Sequence, residues 1–341
     1  MENNKPYISV ENVSMWYPHK SGKLFQKKED RKWVKAVDGV NLSIERGKIL
    51  GIIGESGCGK STLGRILTRL EEPTGGDVLL DGQSTSEMLK KDPKAFRSQV
   101  QIVFQNPFDT FTPRDTIAKI LMRPLKNYKI GKDDEERWQM CLKALESGGL
   151  HPAEDIMKRY PHELSGGQLQ RISILRSMFL NPSVIIADEP VSMLDVSVRA
   201  DIINMLQDLS TSHNAVVIFI SHDIALTRYI SDYIAVMYLG RVVEYGTADE
   251  VVKNPKHPYT QALISNCASI DPDEKVASIP ITGEPPTPVD PGPGCYFAPR
   301  CFKACPECFK AYPERVDFSE THYACCSRCM EAVEADASKG E

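Results

Sequence analysis

The sequence predicts an α/β protein built around a mostly parallel sheet, and three observations predict it. From Tyr7 to about Val252, short β-branched runs alternate with helical stretches. Most of the runs are apolar without alternation, as strands buried on both faces require. With 341 residues the chain is long enough for about two domains, each with its own core.

The elements follow in order. Ile49–Ile53 reads as a buried strand, and the glycine-rich Gly54–Gly59 leads from it into a helix opening near Lys60. In that helix Leu63, Ile66, Leu67 and Leu70 fall on one apolar stripe. Val100–Val103, Val184–Ala187 and Ala215–Ile220 are bounded by Gly, Asn, Pro or charge and read as further buried strands. A charged, more helical stretch over 106–178 interrupts this pattern and predicts an inserted helical subdomain. The basic segment between Lys20 and Lys35 reads as a solvated hairpin loop, with contact to lipid headgroups as the alternative.

Beyond Pro255 the composition changes. Residues 280–299 are rich in proline, including Pro285–Pro286, and predict an extended or turning linker. Seven of the ten cysteines then crowd into 295–329, and the acidic tail from Glu331 is expected to fray. The expected division is a domain over 5–255 and a C-terminal extension over 256–341. No internal repeat is visible.

Composition excludes several classes. Apolar residues make up 41% and charged residues 26%, with a mean hydropathy of −0.30, so disorder and an integral membrane protein are disfavoured. No apolar run approaches the ~18–20 residues that a spanning helix needs. MENNKPYISV has no basic region followed by an apolar core, so a cytoplasmic protein is expected. A net charge of −5 argues against nonspecific nucleic-acid binding. In such a chain a cysteine cluster points to a metal rather than to disulfides.

Three motifs carry chemistry. Gly54-Glu55-Ser56-Gly57-Cys58-Gly59-Lys60-Ser61 fits the phosphate-loop pattern and lies directly between a strand and a helix. Its glycines let backbone N–H groups turn toward a phosphate, and the helix N-terminus and Lys60 add positive charge. Ser61 can place a hydroxyl on Mg²⁺, and Thr62 follows it in the first turn. Cys58 reads as a small filler of the loop rather than a reactive thiol. Val184-Ile185-Ile186-Ala187-Asp188-Glu189 delivers two carboxylates at the C-terminal end of a strand, where ligands gather in open α/β sheets. Asp188 suits the Mg²⁺ shell, and Glu189 suits polarising the attacking water. Leu164-Ser165-Gly166-Gly167-Gln168 precedes an amphipathic helix through Ile172, Leu175 and Phe179 and offers a second anion site. One nucleotide does not need two such sites, so Ser165–Gln168 is expected to face nucleotide held by another subunit.

Through these residues the chain resembles the ATP-binding cassette (ABC) ATPases. The match runs in order through Tyr17, Gly54–Ser61, Gln105, Leu164–Gln168, Asp188–Glu189, Asp195 and His222. The resemblance implies a RecA-like core with a helical subdomain. It also implies that Tyr17 stacks on adenine, Gln105 senses Mg²⁺ and the attacking water, Asp195 lines a dimer seam and His222 contacts the γ-phosphate. Phe104-Gln105-Asn106-Pro107, Tyr160-Pro161-His162-Glu163 and His257-Pro258-Tyr259-Thr260 are similar to the peptide-importer branch of oligopeptide, dipeptide and nickel permeases. That branch carries a Cys-rich extension, and here its pattern selects Cys295, Cys301, Cys308 and Cys325 as implied ligands of a four-iron four-sulfur cluster. Cys305, Cys326 and Cys329 exceed the family set, and Cys305-x-x-Cys308 with Cys326-x-x-Cys329 also suits a zinc ribbon. Leu169, Leu175 and Met193 depart from residues usual at those places, and Met193 lies beside the seam residue Asp195.

The expected function is the ATP-hydrolysing subunit of a peptide-class importer, peripheral on the cytoplasmic face of the membrane. Its expected partners are a second cassette (by resemblance a paralogue), two transmembrane permease subunits that dock on the helical stretch, and indirectly an extracytoplasmic binding protein. The rival is a soluble cassette ATPase of DNA repair or translation with a zinc-binding C-terminal module. Chromosome-maintenance types insert a long coiled coil after Gln105, and translation types carry two cassettes, and this chain has neither. A nucleic-acid-binding zinc domain is disfavoured by the acidic balance.

Overall fold

The computed structural model describes residues 5–19, 32–266 and 279–329. The chain forms two compact units, one of Met1–Glu45, Ile49–Glu87 and Ser221–Glu341, the other of Arg46–Lys48 and Met88–Ile220.

The first unit opens with β1 (Ile8–Pro18) and β2 (Trp33–Ile44), followed by β3 (Ile49–Ile53), α1 (Lys60–Leu67), β4 (Gly75–Leu80) and β5 (Gln83–Ser84). An antiparallel sheet has the order β2-β1-β4-β5, with Ile8 opposite Ile44 and Leu80. In β2, buried Val40, Leu42 and Ile44 alternate with more exposed Asn41 and Ser43, as one core-facing side requires. Helix α1 is shorter than its apolar stripe suggested. It ends at Leu67, Arg69 takes a left-handed φ of 52°, and Leu70 lies outside the helix at 48% exposure. The guanidinium of Arg69 binds Asp77 and donates to the Thr85 hydroxyl, which holds the reversal in place.

Past β5 come α2 (Thr85–Lys91), α3 (Pro93–Gln99), β6 (Val100–Val103), α4 (Pro107–Thr110), α5 (Ile117–Asn127), α6 (Asp134–Ser147), α7 (Ala153–Lys158) and α8 (Gly166–Met178). The second unit continues with β7 (Val184–Asp188), α9 (Val196–Thr211) and β8 (Val216–Ile220). Strands β6, β7 and β8 are parallel neighbours, and every residue of β7 and β8 is buried, which is why these runs are apolar without alternation. Helices α5–α8 enclose a separate apolar core of Ile117, Leu121, Leu145, Met157, Leu169 and Ile172.

The chain then re-enters the first unit through α10 (Ile224–Ile230), β9 (Tyr233–Tyr238), β10 (Arg241–Thr247), α11 (Ala248–Lys253), α12 (Pro258–Ser265), β11 (Arg315–Asp317) and β12 (Tyr323–Cys325). Here β3 pairs in parallel with β9, and β10, β12 and β11 follow as antiparallel neighbours. The proline-rich segment is extended, as X-Pro sequences favour, and it lies along β2. Lys35 N donates to Pro288 O (2.9 Å) and Asp290 N to Trp33 O (2.9 Å). Tyr238 meets Tyr259 and Phe297 edge-on, and Tyr259 meets Phe297 at a tilt, with ring centroids 4.7–5.2 Å apart. His19 N donates to Lys32 O (2.8 Å) at the base of the basic loop. The loop's interior, the acidic tail and Cys267 lie outside the described residues. Among those described, no helix is long and apolar enough to cross a membrane.

Candidate functional site

In the first unit, β3 delivers Gly54 and the loop closes at α1. Gly59 has φ +105°, and a Cβ there would lie 2.1 Å from Ala36 O, so only glycine fits. Gly240 N donates to Cys58 O (2.8 Å), tying the loop to the β9–β10 turn. Lys60 Nζ donates to the carbonyls of Gly54 (2.7 Å) and Glu55 (3.0 Å). Ser56 and Gly57 are exposed, while Ser61 and Thr62 are half-buried in the first turn of α1. Cys58 is buried, and burial pushes its thiol up despite nearby Lys60, so it is an inert filler.

Arg300, which no motif singled out, and Tyr259 of the His257–Thr260 motif grip this loop. Arg300 meets the Glu55 carboxylate with both terminal nitrogens (Nη1–Oε2 2.7 Å, Nη2–Oε1 3.0 Å), and the Tyr259 hydroxyl accepts from Glu55 N (2.9 Å). His222 is exposed and follows Ser221, whose N–H donates to Ile52 O (3.1 Å), so it sits beside the end of β3. Tyr17 is half-buried. Burial, then a hydrogen bond to the Glu71 carboxylate, pushes its phenol up to about 12. Thr62 and Arg65 lie near its hydroxyl.

In the second unit, Asp188 is buried at the end of β7. Glu189 follows with a left-handed φ of 46°, and its N–H donates to Ile220 O (2.9 Å). This turn aims its carboxylate at Gln105, whose Nε2 donates to Glu189 Oε2 (2.8 Å) and Ser192 Oγ (3.2 Å). The structure thus brings Gln105 and Glu189 together and adds Ser192, whose hydroxyl also donates to Glu189 O (3.1 Å).

Ser165 caps α8 in a reciprocal box. Gln168 N donates to Ser165 Oγ (3.3 Å) and Ser165 N to Gln168 Oε1 (3.0 Å). A Cβ on Gly167 would lie 2.6 Å from Val198 Cγ1, so glycine allows the close approach of α8 and α9, whereas Gly166 has room. A cavity of about 400 Å³ opens here, lined by His151, Ser165, Gly167, Gln168, Arg171 and Val198. Leu169 and Leu175 are buried in the helical core, which accounts for their departure from polar or small residues. Asp195 is exposed before α9, flanked by Met193 and Val196 at 66% and 80% exposure.

The seven clustered cysteines are free thiols. Cys305 Sγ lies 3.4 Å from Cys308 Sγ. Burial raises the thiols of Cys295, Cys301, Cys308 and Cys325, and neighbouring Cys326 adds to the rise at each. A hydrogen bond with Cys329 pulls Cys326 itself down to about 7. Among the described residues, however, no three His, Cys, Asp or Glu side chains are arranged to hold a metal ion. Neither the expected quartet Cys295, Cys301, Cys308 and Cys325 nor the ribbon quartet is an assembled ligand sphere. Cys325 is the last residue of β12, and Cys326 lies just past the strand. Cys325 lies by Arg315, Arg241 and Tyr312, while Cys326 reaches toward Cys295, Cys301 and Cys308.

Known proteins share these features. A family model described as ABC transporter matches residues 37–192, and one described as oligopeptide/dipeptide transporter, C-terminal region, matches residues 243–308. The chain is 46% identical over 301 residues, 87% of each chain, to the dipeptide transport ATP-binding protein DppF of Escherichia coli (strain K12). It is 43% identical over 330 residues, 95% of this chain and 98% of the relative, to the oligopeptide transport ATP-binding protein AppF of Bacillus subtilis (strain 168). The structure is similar to the dimeric post-hydrolysis state of the ATP-binding cassette MJ0796 bound to ADP and Pi. That similarity has a TM-score of 0.61 at 30% identity and covers 71% of this chain and 98% of that one.

Proposed function

The chain belongs to the ATP-binding subunits of oligopeptide/dipeptide ABC transporters, and from that membership we propose how its residues power import. The protein is an ATPase that drives peptide-class uptake by ATP-dependent pairing with a second cassette. The observation that carries the reading is the loop Gly54–Ser61 set between β3 and α1, with Lys60 at the helix entrance. Its N–H groups and Lys60 bind the phosphates of ATP, and Tyr17 stacks on the base. Mg²⁺, when bound, screens charge on the phosphate oxygens. The hard oxygen donors of Ser61, Gln105 and Asp188 suit it and would hold it. Glu189 accepts a hydrogen bond from the attacking water, and Gln105, already bonded to Glu189, orients both. His222 contacts the γ-phosphate as the water oxygen bonds to phosphorus and ADP leaves. Ser165–Gln168 and Asp195 serve the nucleotide of the opposite cassette.

The paired cassette is a paralogue, two permease subunits dock on the helical stretch, and the protein sits on the cytoplasmic face of the membrane. Residues 5–255 act as the motor and 256–341 as its extension. The iron–sulfur reading of Cys295, Cys301, Cys308 and Cys325 rests on the resemblance and on the softness of thiolate donors. Anaerobically purified protein should be brown. Cys301→Ser should bleach it, whereas Cys329→Ser should leave most of the colour. Colourless protein with stoichiometric zinc would replace iron–sulfur by zinc. The function itself is tested in vesicles carrying the whole transporter: ATP-dependent uptake of labelled di- and oligopeptides should vanish in Lys60→Ala. Uptake that persists there would remove the ATPase reading of this loop.

A further inference from the structure

The nucleotide loop carries a carboxylate, Glu55, immediately after its first glycine. The rest of the loop concentrates positive potential for an anion through its N–H groups, the start of α1 and Lys60. An uncompensated carboxylate there would oppose a triphosphate. The compensating charge comes from 245 residues away in the sequence. Arg300 is 8% exposed and meets Glu55 as a two-pronged pair. Its remaining donors are also committed: Nε to Thr282 O (3.2 Å), Nη2 to Gly283 O (2.7 Å) and Nη1 to the Tyr238 hydroxyl (3.2 Å). The plane of the guanidinium is therefore set by the extension itself, a geometry that a lysine ammonium cannot reproduce. The Tyr259 hydroxyl independently holds Glu55 N.

We propose that Arg300 is a positioning residue of the nucleotide site: it cancels the Glu55 charge and fixes the start of the phosphate loop, so that the C-terminal extension completes the loop's affinity for ATP. This rests on the ATP-binding reading of Gly54–Ser61. Breaking a charge pair of this kind leaves the other charge unpaired, so Arg300→Ala should weaken Mg-ATP binding on the order of tenfold. The loss should be larger for ATP than for AMP, because it acts through phosphate charge.

The test is equilibrium binding of Mg-ATP and AMP to the full-length chain, with melting temperature measured for each variant. Wild type that binds ATP, together with Lys60→Ala that does not, establishes the underlying reading separately. Glu55→Gln with Arg300→Ala removes both charges and should recover most of the affinity lost in Arg300→Ala alone. Arg300→Lys keeps the charge without the fork and should fall between wild type and Arg300→Ala, which keeps the question answerable if the alanine variant folds poorly. Wild-type affinity in Arg300→Ala, equal losses for ATP and AMP, or a double variant as weak as the single one would each overturn the proposal.

Discussion

Glu189 sits in a left-handed turn that few glutamates adopt, and its carboxylate is held by Gln105. Strain of this kind survives only where the surroundings over-determine it. Glu189→Gln keeps the shape and removes the charge, so ATP binding should persist while hydrolysis slows roughly 10²-fold or more. Near-normal single-turnover hydrolysis, with the partner site disabled, would remove Glu189 from the water-activating role. A second residue, His257, contributes to acid stability. It is fully buried and its Nδ1 accepts from Tyr259 N (3.1 Å), and burial pushes it down to about 3. The folded state therefore resists the proton that the unfolded chain takes up below its ordinary value near 6.5. Its contribution is complete above that pH and is lost as pH falls toward 3, about 2 kcal/mol by pH 5. Denaturant midpoints at pH 7 and pH 5 should differ, and His257→Asn, which keeps a capping acceptor, should narrow the difference.

At the scale of elements, the contact between α8 and α9 depends on Gly167. The methyl of Gly167→Ala would meet Val198 Cγ1 at 2.6 Å. Overpacking of this kind costs about 1–3 kcal/mol, so the variant should melt several degrees lower. An unchanged melting temperature would mean that the helices separate freely. Gly166→Ala at the neighbouring position, where the nearest atoms are 3.8–3.9 Å away, should be nearly silent in stability. The segment after β11 is tied to α11 in a different way. Burial disfavours the charge of Glu250, but hydroxyls of Ser319, Thr247 and Thr321 and the Thr247 N–H outweigh it and hold the carboxyl at about 2.

At the scale of the whole molecule, function requires two cassettes. Met193 and Val196 expose apolar surface beside Asp195, the residue proposed to line their seam. In a Glu189→Gln background ATP should convert the protein to a dimer, seen as a doubling of mass by light scattering. Val196→Asp places an unpaired charge on that surface and should shift the dimer to higher protein concentration. Each chain would still bind ATP. Ser165→Arg should block hydrolysis of nucleotide on the opposite cassette's phosphate loop and leave binding at its own Lys60 intact. Loss of binding at its own loop alone would contradict a head-to-tail pair.

The phosphate loop, the strand before it, the carboxylates at the end of β7 and the cap of α8 are legible in the sequence because each is local. A glycine where φ must be positive, a serine three residues before a glutamine and an unbroken apolar run act on their immediate backbone. The same locality explains the family resemblance, whose motifs are such segments in order. What lay beyond the sequence depends on partners far along the chain. Leu70 continued a helical stripe on paper, but Arg69, held by Asp77 and Thr85, turns the chain first. The proline-rich segment reads as an extended or turning linker, but that it pairs along β2 is set by partners far away in sequence. Cys325 and Cys326 are adjacent letters, yet Cys325 ends β12 near Arg315 and Arg241 while Cys326 lies past the strand and hydrogen-bonds with Cys329. No spacing rule joins Arg300 to Glu55, because a salt bridge needs only that two side chains meet. That meeting is decided by how the whole first unit packs, with tertiary burial setting the geometry that local propensity leaves open.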